Sequence, residues 1–239
     1  MIKLAVSGCL GRMGQRITAL AKEDPALIIV TILEDPSHPN IGQSVYPLPI
    51  STNAQTLKGA QVLIEFTTPD ATIKNLEACV KYKVKMVIGT TGFSPAQIQK
   101  IKKASQKIPI VFSSNMSVGV NVLFKLVKEA SQKLGLDYQV KIVESHHVHK
   151  KDSPSGTAKT IAQVIEESSK HKVVDIQAIR EGEVIGDHEV IFESSVDTIK
   201  IAHHAKTRDI FAKGSLVAAK FVAKKSKGLF NMQDVLGLK

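Results

Sequence analysis

Residues 144–157, ESHHVHKKDSPSGT, concentrate the side chains of this chain that can transfer protons. Three histidines and two lysines fall within positions 146–151, and a Pro-Ser-Gly-Thr helix start follows them. Alternate residues of a strand share a face, so we expect His147 and His149 on one side and His146 and Val148 on the other. Five potential cations so close together repel one another unless an anion lies among them. The segment predicts a cationic pocket whose histidines move protons near neutral pH.

A glycine-rich turn near the N-terminus is the second candidate site. Gly8, Gly11 and Gly14 lie between an apolar strand and a helical pattern, and a second apolar strand ends at Glu34. This order is typical of a dinucleotide-binding unit, although Gly-x-x-Gly-x-x-Gly varies the common spacing. The glycines permit a tight turn, close approach of a pyrophosphate and close helix packing, while Glu34 can accept hydrogen bonds from ribose hydroxyls. The alternative is a glycine-rich turn that binds nothing.

Asp35 bears on the choice of nucleotide. NADP sites usually place a basic side chain near the ribose 2′-phosphate, whereas here Glu34 and Asp35 put two carboxylates at that place. A phosphate beside them is repelled, so we expect NADH to be favoured. NADPH binding would need Arg12 or a nearby lysine.

The elements that position these sites form two groups. Up to residue 116, strands at 62–66, 85–88 and 108–112 alternate with helices, which predicts a Rossmann-type doubly wound parallel sheet. Two polar loops, 89–92 and 113–116, end strands of that sheet and are expected to flank the nicotinamide, although ordinary turn chemistry also explains either loop.

After residue 117 the pattern changes. A helix at 118–134, a strand at 138–145 and a helix at 155–168 precede three strands without helices between them, which predicts a smaller α+β domain with a mixed sheet. A helical pattern returns at 208–225. We expect a dinucleotide-binding domain of residues 1–116 completed by 208–239, and a second domain of residues 117–207.

Composition excludes several classes of function. The net charge is +10, but only four of 32 basic residues are arginine, aromatic residues make up 5% and tryptophan is absent, which argues against a nucleic-acid partner. Charges interrupt every long apolar stretch, so no membrane span is expected. The chain enters a strand pattern at Met1, which leaves no room for a signal peptide. Cys9 and Cys79 are too few for a disulfide framework, and together these features predict a cytoplasmic protein.

Six motifs together resemble the 4-hydroxy-tetrahydrodipicolinate reductase family, formerly called dihydrodipicolinate reductase, of bacterial lysine and diaminopimelate synthesis. They run in the family's order from one end of the chain to the other: GCLGRMG at 8–14, GTTG at 89–92, NMSVGVN at 115–121, ESHHVHKKDSPSGTA at 144–158, REGEVIGDHEV at 180–190 and GLFNMQDV at 228–235. The resemblance implies NAD(P)H-dependent reduction of a cyclic imine with two carboxylates and a Rossmann domain completed by the C-terminal helix. It also implies that residues 117–207 form a substrate-binding and tetramerisation domain, with a homotetramer built through the mixed sheets.

The same resemblance implies roles for individual residues. His146 would be the proton donor and acceptor, Lys150 a second donor or charge stabiliser, and His147, Gly156 and Thr157 substrate ligands. One substrate carboxylate suits the helix start at 155–157, where N–H groups and the helix dipole favour an anion. Where an arginine is common in the family, Asp35 stands here, which puts a preference for NADPH in doubt. The implied nucleotide-binding residues are Gly8, Cys9, Leu10, Gly11, Arg12, Met13, Glu34, Gly89, Thr90, Thr91, Ser113, Ser114, Asn115 and Met116.

Two other readings remain open at this point. His147 and His149, with His146, could hold zinc, but the neighbouring Lys150 and Lys151 would repel a dication, so we expect no metal. A nucleotide-binding regulator without catalysis would need only the fold. Such a regulator has no use for the histidine and lysine cluster.

Overall fold

The computed structural model describes residues 1–41, 44 and 48–238 of the chain. Two units each have their own set of internal contacts: one combines Met1–Ser117 with Asp209–Lys239, and the other is Val118–Arg208. Among the described residues, no helix has the length and apolar character that crossing a membrane requires.

The first unit is built on a seven-stranded parallel sheet in the order β11-β6-β5-β4-β1-β2-β3. Its central strands β1 and β4 to β6 are apolar and largely buried, as expected for a sheet covered on both faces. The strand order reverses between β1 and β4, which is where ligands of such sheets bind. The predicted doubly wound sheet is confirmed. Its strands are β1 (Ile2–Ser7), β2 (Leu27–Leu33), β3 (Ile50–Ser51), β4 (Val62–Glu65), β5 (Lys85–Ile88), β6 (Pro109–Phe112) and β11 (Gly228–Phe230).

Two helices of the first unit begin at residues whose side chains accept a free N–H group of the first turn. Thr68 caps α2, and Ser94 forms a reciprocal capping box with Gln97 at the start of α3. Both helices have proline in the first turn, where its missing N–H costs nothing. The helices are α1 (Arg12–Glu23), α2 (Pro69–Tyr82), α3 (Pro95–Ala104), α6 (Asp209–Val222) and α7 (Met232–Leu236), with a 3₁₀ turn at Ala54–Gly59.

The second unit has a four-stranded mixed sheet in the order β10-β9-β7-β8. Strands β7 and β8 are parallel and joined through α5, whereas β9 is antiparallel to both β7 and β10. Helices α4 and α5 cover one face of the sheet and bury the alternate apolar residues of β7 and β9. The predicted mixed sheet is confirmed. Its elements are α4 (Val118–Lys133), β7 (Gln139–His146), α5 (Gly156–Ser168), β8 (Val173–Arg180), β9 (Asp187–Glu193) and β10 (Thr198–His204).

One prediction about the histidine segment is wrong. Strand β7 ends at His146, so the alternation of faces expected through His149 stops there. Residues 147–149 instead leave the sheet and bond to the turn after β8: the His147 N–H donates to the Val184 carbonyl at 2.7 Å and the Val148 N–H to the Gly182 carbonyl at 3.3 Å. The histidines therefore lie in different environments.

Candidate active site

The glycine turn after β1 is tightly built against its neighbours. Gly8 has a φ of 76°, a left-handed conformation that glycine adopts readily, and a Cβ there would lie 2.6 Å from the Phe66 carbonyl oxygen. A Cβ on Gly14 would overlap the Gly8 carbonyl. Only backbone fits at both positions, so helix α1 approaches the end of β1 closely and its first N–H groups face the turn.

Glu34 at the end of β2 is bound to this turn. One carboxylate oxygen accepts the Leu10 N–H at 2.7 Å and the other accepts the Asp35 N–H at 3.0 Å. A carboxylate has about four acceptor positions, so capacity for further hydrogen bonds remains. Cys9 in the turn is 1% exposed, and burial together with the nearby Glu34 charge raises the pKa of its thiol to about 11. It is an unreactive filler.

A cavity of about 520 Å³ opens beside the turn, at the reversal point between β1 and β4. Asp35 at its rim accepts hydrogen bonds from the Ser37 N–H and hydroxyl, which lower the pKa of the Asp35 carboxyl. Lys74 of α2 lines the same cavity, and its charge also lowers that pKa. The lining residues are Ser7, Gly8, Gly11, Leu33, Glu34, Asp35, Pro36, Thr52, Ala54, Phe66, Thr67, Thr68, Asp70, Ala71, Lys74 and Asn75.

The two predicted polar loops follow β5 and β6 at the same edge of the sheet. Thr90 is 4% exposed and its hydroxyl accepts the Thr67 N–H at 3.0 Å, so its side chain points into the protein. Thr91 is exposed. In the second loop the Ser113 hydroxyl donates to the Asn115 carbonyl at 3.0 Å, and Ser114 is exposed. Met116 is buried. The expected nucleotide ligands Gly89, Arg12 and Met13 lie at this edge as well, in the first residues after β5 and at the start of α1.

His146 is the last residue of β7 and belongs to a buried charge network in the second unit. Its Nδ1 bonds to a carboxylate oxygen of Glu144, which is two residues earlier on the same face of the strand. Arg180 lies opposite His146 in the parallel register of β7 and β8. Its guanidinium donates two hydrogen bonds to the Glu144 carboxylate, at 2.8 and 3.0 Å. The Ser155 N–H donates to Glu144 at 3.0 Å. Glu144 is wholly buried and accepts four hydrogen bonds.

These contacts set the charges of the network. Burial raises the pKa of Glu144, but hydrogen bonds from Arg180, His146 and the Ser155 backbone outweigh it, so the net shift is downward and Glu144 is ionised. Burial lowers the pKa of His146; Glu144 opposes that shift, while the charges of Lys150 and Arg180 add to it. The imidazole is therefore neutral near pH 7 even beside Glu144 when no substrate is bound.

The remaining members of the histidine and lysine cluster have separate surroundings. His149 is 77% exposed and lies 3.8 Å from Glu183, and Lys150, 21% exposed, pairs with Asp152 at 2.8 Å. His147 has a buried Nδ1 without a hydrogen-bond partner among the described residues. The sequence predicts five cations without partners, but carboxylates from three positions, Glu144, Asp152 and Glu183, neutralise part of the charge.

The carboxylate of Asp152 lies at the start of α5. Ser155 caps the helix by accepting the Ala158 N–H at 3.1 Å, and Gly156 and Thr157 are the first helical residues. The pKa of Asp152 is lowered chiefly by its hydrogen bond with Lys150, with a further contribution from the Gly156 backbone. Lys150 and the helix start together therefore favour a carboxylate.

Three residues of this network were not assigned a role from the sequence: Glu144, Arg180 and His188. His188 of β9 is 4% exposed, its ring packs edge-on to that of His146 at 5.2 Å, and its Nε2 contacts the Ser155 hydroxyl at 3.1 Å. Burial and the neighbouring His146 lower its pKa to about 4. The i, i+2 spacing of Glu144 and His146 in a strand predicts that their side chains share a face. The strand register that brings Arg180 next to them cannot be read from the sequence.

A metal centre is not seen in the part of the chain that the structure describes: no group of three or more His, Cys, Asp and Glu side chains there has the geometry to hold a metal ion. The ring centroids of His147 and His149 are 6.1 Å apart.

Comparison with known proteins gives matches over both units. Residues 2–116 match the family described as dihydrodipicolinate reductase, N-terminus, and residues 119–236 match dihydrodipicolinate reductase, C-terminus. Curated proteins named 4-hydroxy-tetrahydrodipicolinate reductase from Syntrophotalea carbinolica and Geotalea daltonii are 41% and 42% identical over 267 aligned residues, covering 100% of each chain.

Solved structures show a similar fold. A dipicolinate-bound dihydrodipicolinate reductase from Paenisporosarcina sp. TG-14 superposes with a TM-score of 0.85 at 23% identity, covering 98% of both chains. An amine dehydrogenase from Mycobacterium smegmatis has a TM-score of 0.71 at 10% identity, covering 97% of this chain and 95% of that one.

Proposed function

The chain belongs to the dihydrodipicolinate reductase family, and from that membership we propose how its own residues carry out the reaction. It is an NAD(P)H-dependent oxidoreductase that reduces 4-hydroxy-tetrahydrodipicolinate to tetrahydrodipicolinate in the diaminopimelate and lysine pathway. The observation that carries this assignment is the match of both units, end to end, to one family.

The glycine turn fits a pyridine dinucleotide. Because Gly8 and Gly14 have no side chains, the turn packs closely against the start of α1. The backbone N–H groups at that helix start are then available to bind phosphates. Glu34 retains acceptor capacity for ribose hydroxyls. We assign the nucleotide to this turn, to the cavity beside it and to the loops at 89–91 and 113–116; when bound, its reduced nicotinamide supplies the hydride.

His146 is the proposed proton donor. Glu144 binds its Nδ1, which orients the ring and leaves Nε2 for the substrate, and among the described residues nothing forms a hydrogen bond to that Nε2. Since the imidazole is neutral beside Glu144 without substrate, a substrate with two carboxylates must raise the pKa of His146 as it binds. His146 therefore takes up a proton when the substrate binds, and this is the proton that the reaction consumes.

Lys150, His147 and the start of α5 are the proposed ligands of the substrate carboxylates. Lys150 and the Gly156 N–H interact with the Asp152 carboxylate, which supports a carboxylate-binding role for this place. A substrate carboxylate would replace Asp152 there, with Thr157 adjacent. The buried Nδ1 of His147 is available for a further hydrogen bond. Lys150 also stabilises negative charge that develops during reduction.

Preference for NADH is the proposed cofactor selectivity. The lowered pKa of Asp35 keeps it ionised at the cavity rim, where it repels a 2′-phosphate. Lys74 in the same cavity opposes that repulsion and permits NADPH as the weaker cofactor.

A homotetramer is the proposed assembly. The face of the mixed sheet away from α4 and α5 combines partly exposed apolar residues, Val143, Ile179 and Ile191, with cross-strand ion pairs such as Lys141–Glu193 at 3.2 Å. Such a face suits contact with a second copy of itself. Light scattering after size exclusion should give the mass of a tetramer, and a monomer would refute the proposal.

A cytoplasmic location is also proposed. Both cysteines are buried thiols, and the reaction consumes reduced nucleotide. Cell fractionation with antibody detection tests this location, and recovery outside the cytoplasm would contradict it.

The decisive test of the reaction uses purified protein, NADH and the freshly made condensation product of pyruvate and aspartate semialdehyde. NADH should be oxidised only when that product is present, and dipicolinate should inhibit competitively with it. NADH binding without turnover would instead favour a non-catalytic regulator.

A further inference from the structure

Glu65 is a buried acid that the reaction above does not use. It is the last residue of β4, and its exposure is 0%. Within the described residues no lysine, arginine or histidine forms an ion pair with it. Burial raises the pKa of its carboxyl, against hydrogen bonds from Thr67, Asn75 and Ser7 that favour ionisation. An unpaired carboxylate is costly in such a place, so the neutral acid is favoured.

The carboxyl group of Glu65 links three elements. One oxygen bonds to the Thr67 hydroxyl in the loop after β4, and the other accepts the Asn75 side-chain N–H of α2 at 2.8 Å. The same Asn75 nitrogen donates to the Ser7 hydroxyl at the end of β1 at 3.0 Å. The Thr67 hydroxyl also lies 3.3 Å from the Thr68 carbonyl, which can accept its proton when a neutral Glu65 donates to Thr67.

The residues that Glu65 holds form a wall of the proposed nucleotide cavity. Ser7, Thr67 and Asn75 all line it. The Thr67 methyl group lies 2.9 Å from the position of a Cβ on Gly8, so Thr67 is in contact with the glycine turn itself. A shift of Thr67 therefore changes the shape of the turn that binds phosphates.

We propose that Glu65, as an uncharged carboxylic acid, is a positioning residue that fixes this wall of the nucleotide cavity. The proposal rests on the assignment of the nucleotide to the glycine turn. A neutral acid supplies both a donor and an acceptor without adding negative charge beside a diphosphate, whereas an ionised one would repel it. Glutamine likewise places a donor at one position and an acceptor at the other, with one additional N–H.

The test compares Glu65→Gln and Glu65→Leu with wild type, with Glu77→Gln on the exposed face of α2 as the control. The Gln variant should bind NADH within about twofold of wild type, and the Leu variant, which leaves polar partners unsatisfied, about tenfold or more weakly. Fluorescence titration measures both affinities. If the Leu variant does not fold, Thr67→Val should show the same weakening, since it removes the hydroxyl and keeps the methyl group.

Thermal unfolding of the nucleotide-free protein supplies a second readout. A folded-state pKa above the usual 4.5 makes wild type lose stability as pH rises from that value through the folded pKa. Glutamine does not titrate, so the difference in Tm between the Gln variant and wild type should grow in favour of Gln over that range. Glu77→Gln serves in the same measurement as the control for a substitution at the protein surface.

Three results separate the possible failures. Loss of NADH affinity in the Gln variant equal to that in the Leu variant, or a Tm difference that moves the other way with pH, would overturn the neutral-acid role. Unchanged affinity in the Leu or Val variant would overturn positioning. Wild type that binds neither NADH nor NADPH would instead remove the nucleotide site itself.

Discussion

Replacing Glu144 with glutamine should uncouple His146 from catalysis while the fold persists. Each carboxylate oxygen of Glu144 accepts two N–H donors: one takes His146 and Arg180, and the other takes Arg180 and the Ser155 N–H. The amide NH₂ of glutamine must replace one of these oxygens. Placed toward Ser155, the NH₂ faces two N–H donors and removes two of the four hydrogen bonds. Placed toward His146, it removes the Arg180 bond and forces the imidazole to accept at Nδ1.

The size of the effect follows from those contacts. Removing one partner of a buried charged pair costs about 3 kcal/mol, and Arg180 is only 19% exposed, so we expect a loss of unfolding free energy of that order. The kcat should fall about 10²- to 10³-fold, because the ring loses its orientation and the carboxylate that stabilises its protonated form. The pH profile of kcat/KM should move to lower pH, since Glu144 raises the pKa of His146.

Steady-state oxidation of NADH with the cyclic substrate measures kcat, and fluorescence titration measures NADH affinity, which should not change. Glu129→Gln is the matched control: Glu129 lies in α4 of the same unit and pairs with Lys125 at the surface, where such pairs contribute about 0–1 kcal/mol. A Glu144→Gln enzyme with wild-type kcat and an unmoved pH profile would refute the reasoning.

His146→Gln should lower kcat roughly 10²- to 10⁴-fold with NADH binding intact, whereas the exposed His149→Gln should be near wild type; equal losses in the two variants would contradict the assignment of the proton donor. Asp35→Arg should raise the ratio of kcat/KM for NADPH over NADH at least about tenfold. An unchanged ratio would mean that Asp35 points away from the ribose. His188 stays neutral in the folded protein down to about pH 4 but protonates near pH 6.5 when unfolded, so acidification across that range should cost about 3 kcal/mol of unfolding free energy. Urea titrations of wild type and His188→Gln at about pH 4 and about pH 6.5 measure this loss of unfolding free energy. A loss of the same size in the variant would show that His188 is not its source.

Local sequence patterns were sufficient to predict the sheets and the glycine turn. The buried strands β1 and β4 to β6 are short apolar runs. Gly8 and Gly14 lie between a strand pattern and a helix pattern, and that position is recognised from neighbouring residues in the sequence. Both parts of the fold were therefore predictable without knowledge of distant contacts.

The charge network around His146 was not predictable in the same way. Arg180 meets Glu144 only because β7 and β8 pair in a particular register across 36 residues of chain. The turn at 181–184 takes over hydrogen bonds to the backbone of His147 and Val148, which ends the strand alternation that the sequence suggested. Glu65 was missed for a similar reason, because its partners at Ser7 and Asn75 are fixed by the packing of separate elements.

The order of the elements along the chain has a consequence for folding. Edge strand β11 pairs with β6, and α6 buries its apolar side in the first unit, yet both come after all of Val118–Arg208. The second unit is one uninterrupted stretch whose β7, α5 and β8 follow one another directly. During synthesis it can therefore fold as soon as it emerges, while the nucleotide-binding unit waits for its last segment. A chain that ends before Asp209 would contain the whole second unit and a first unit that still lacks α6, β11 and α7.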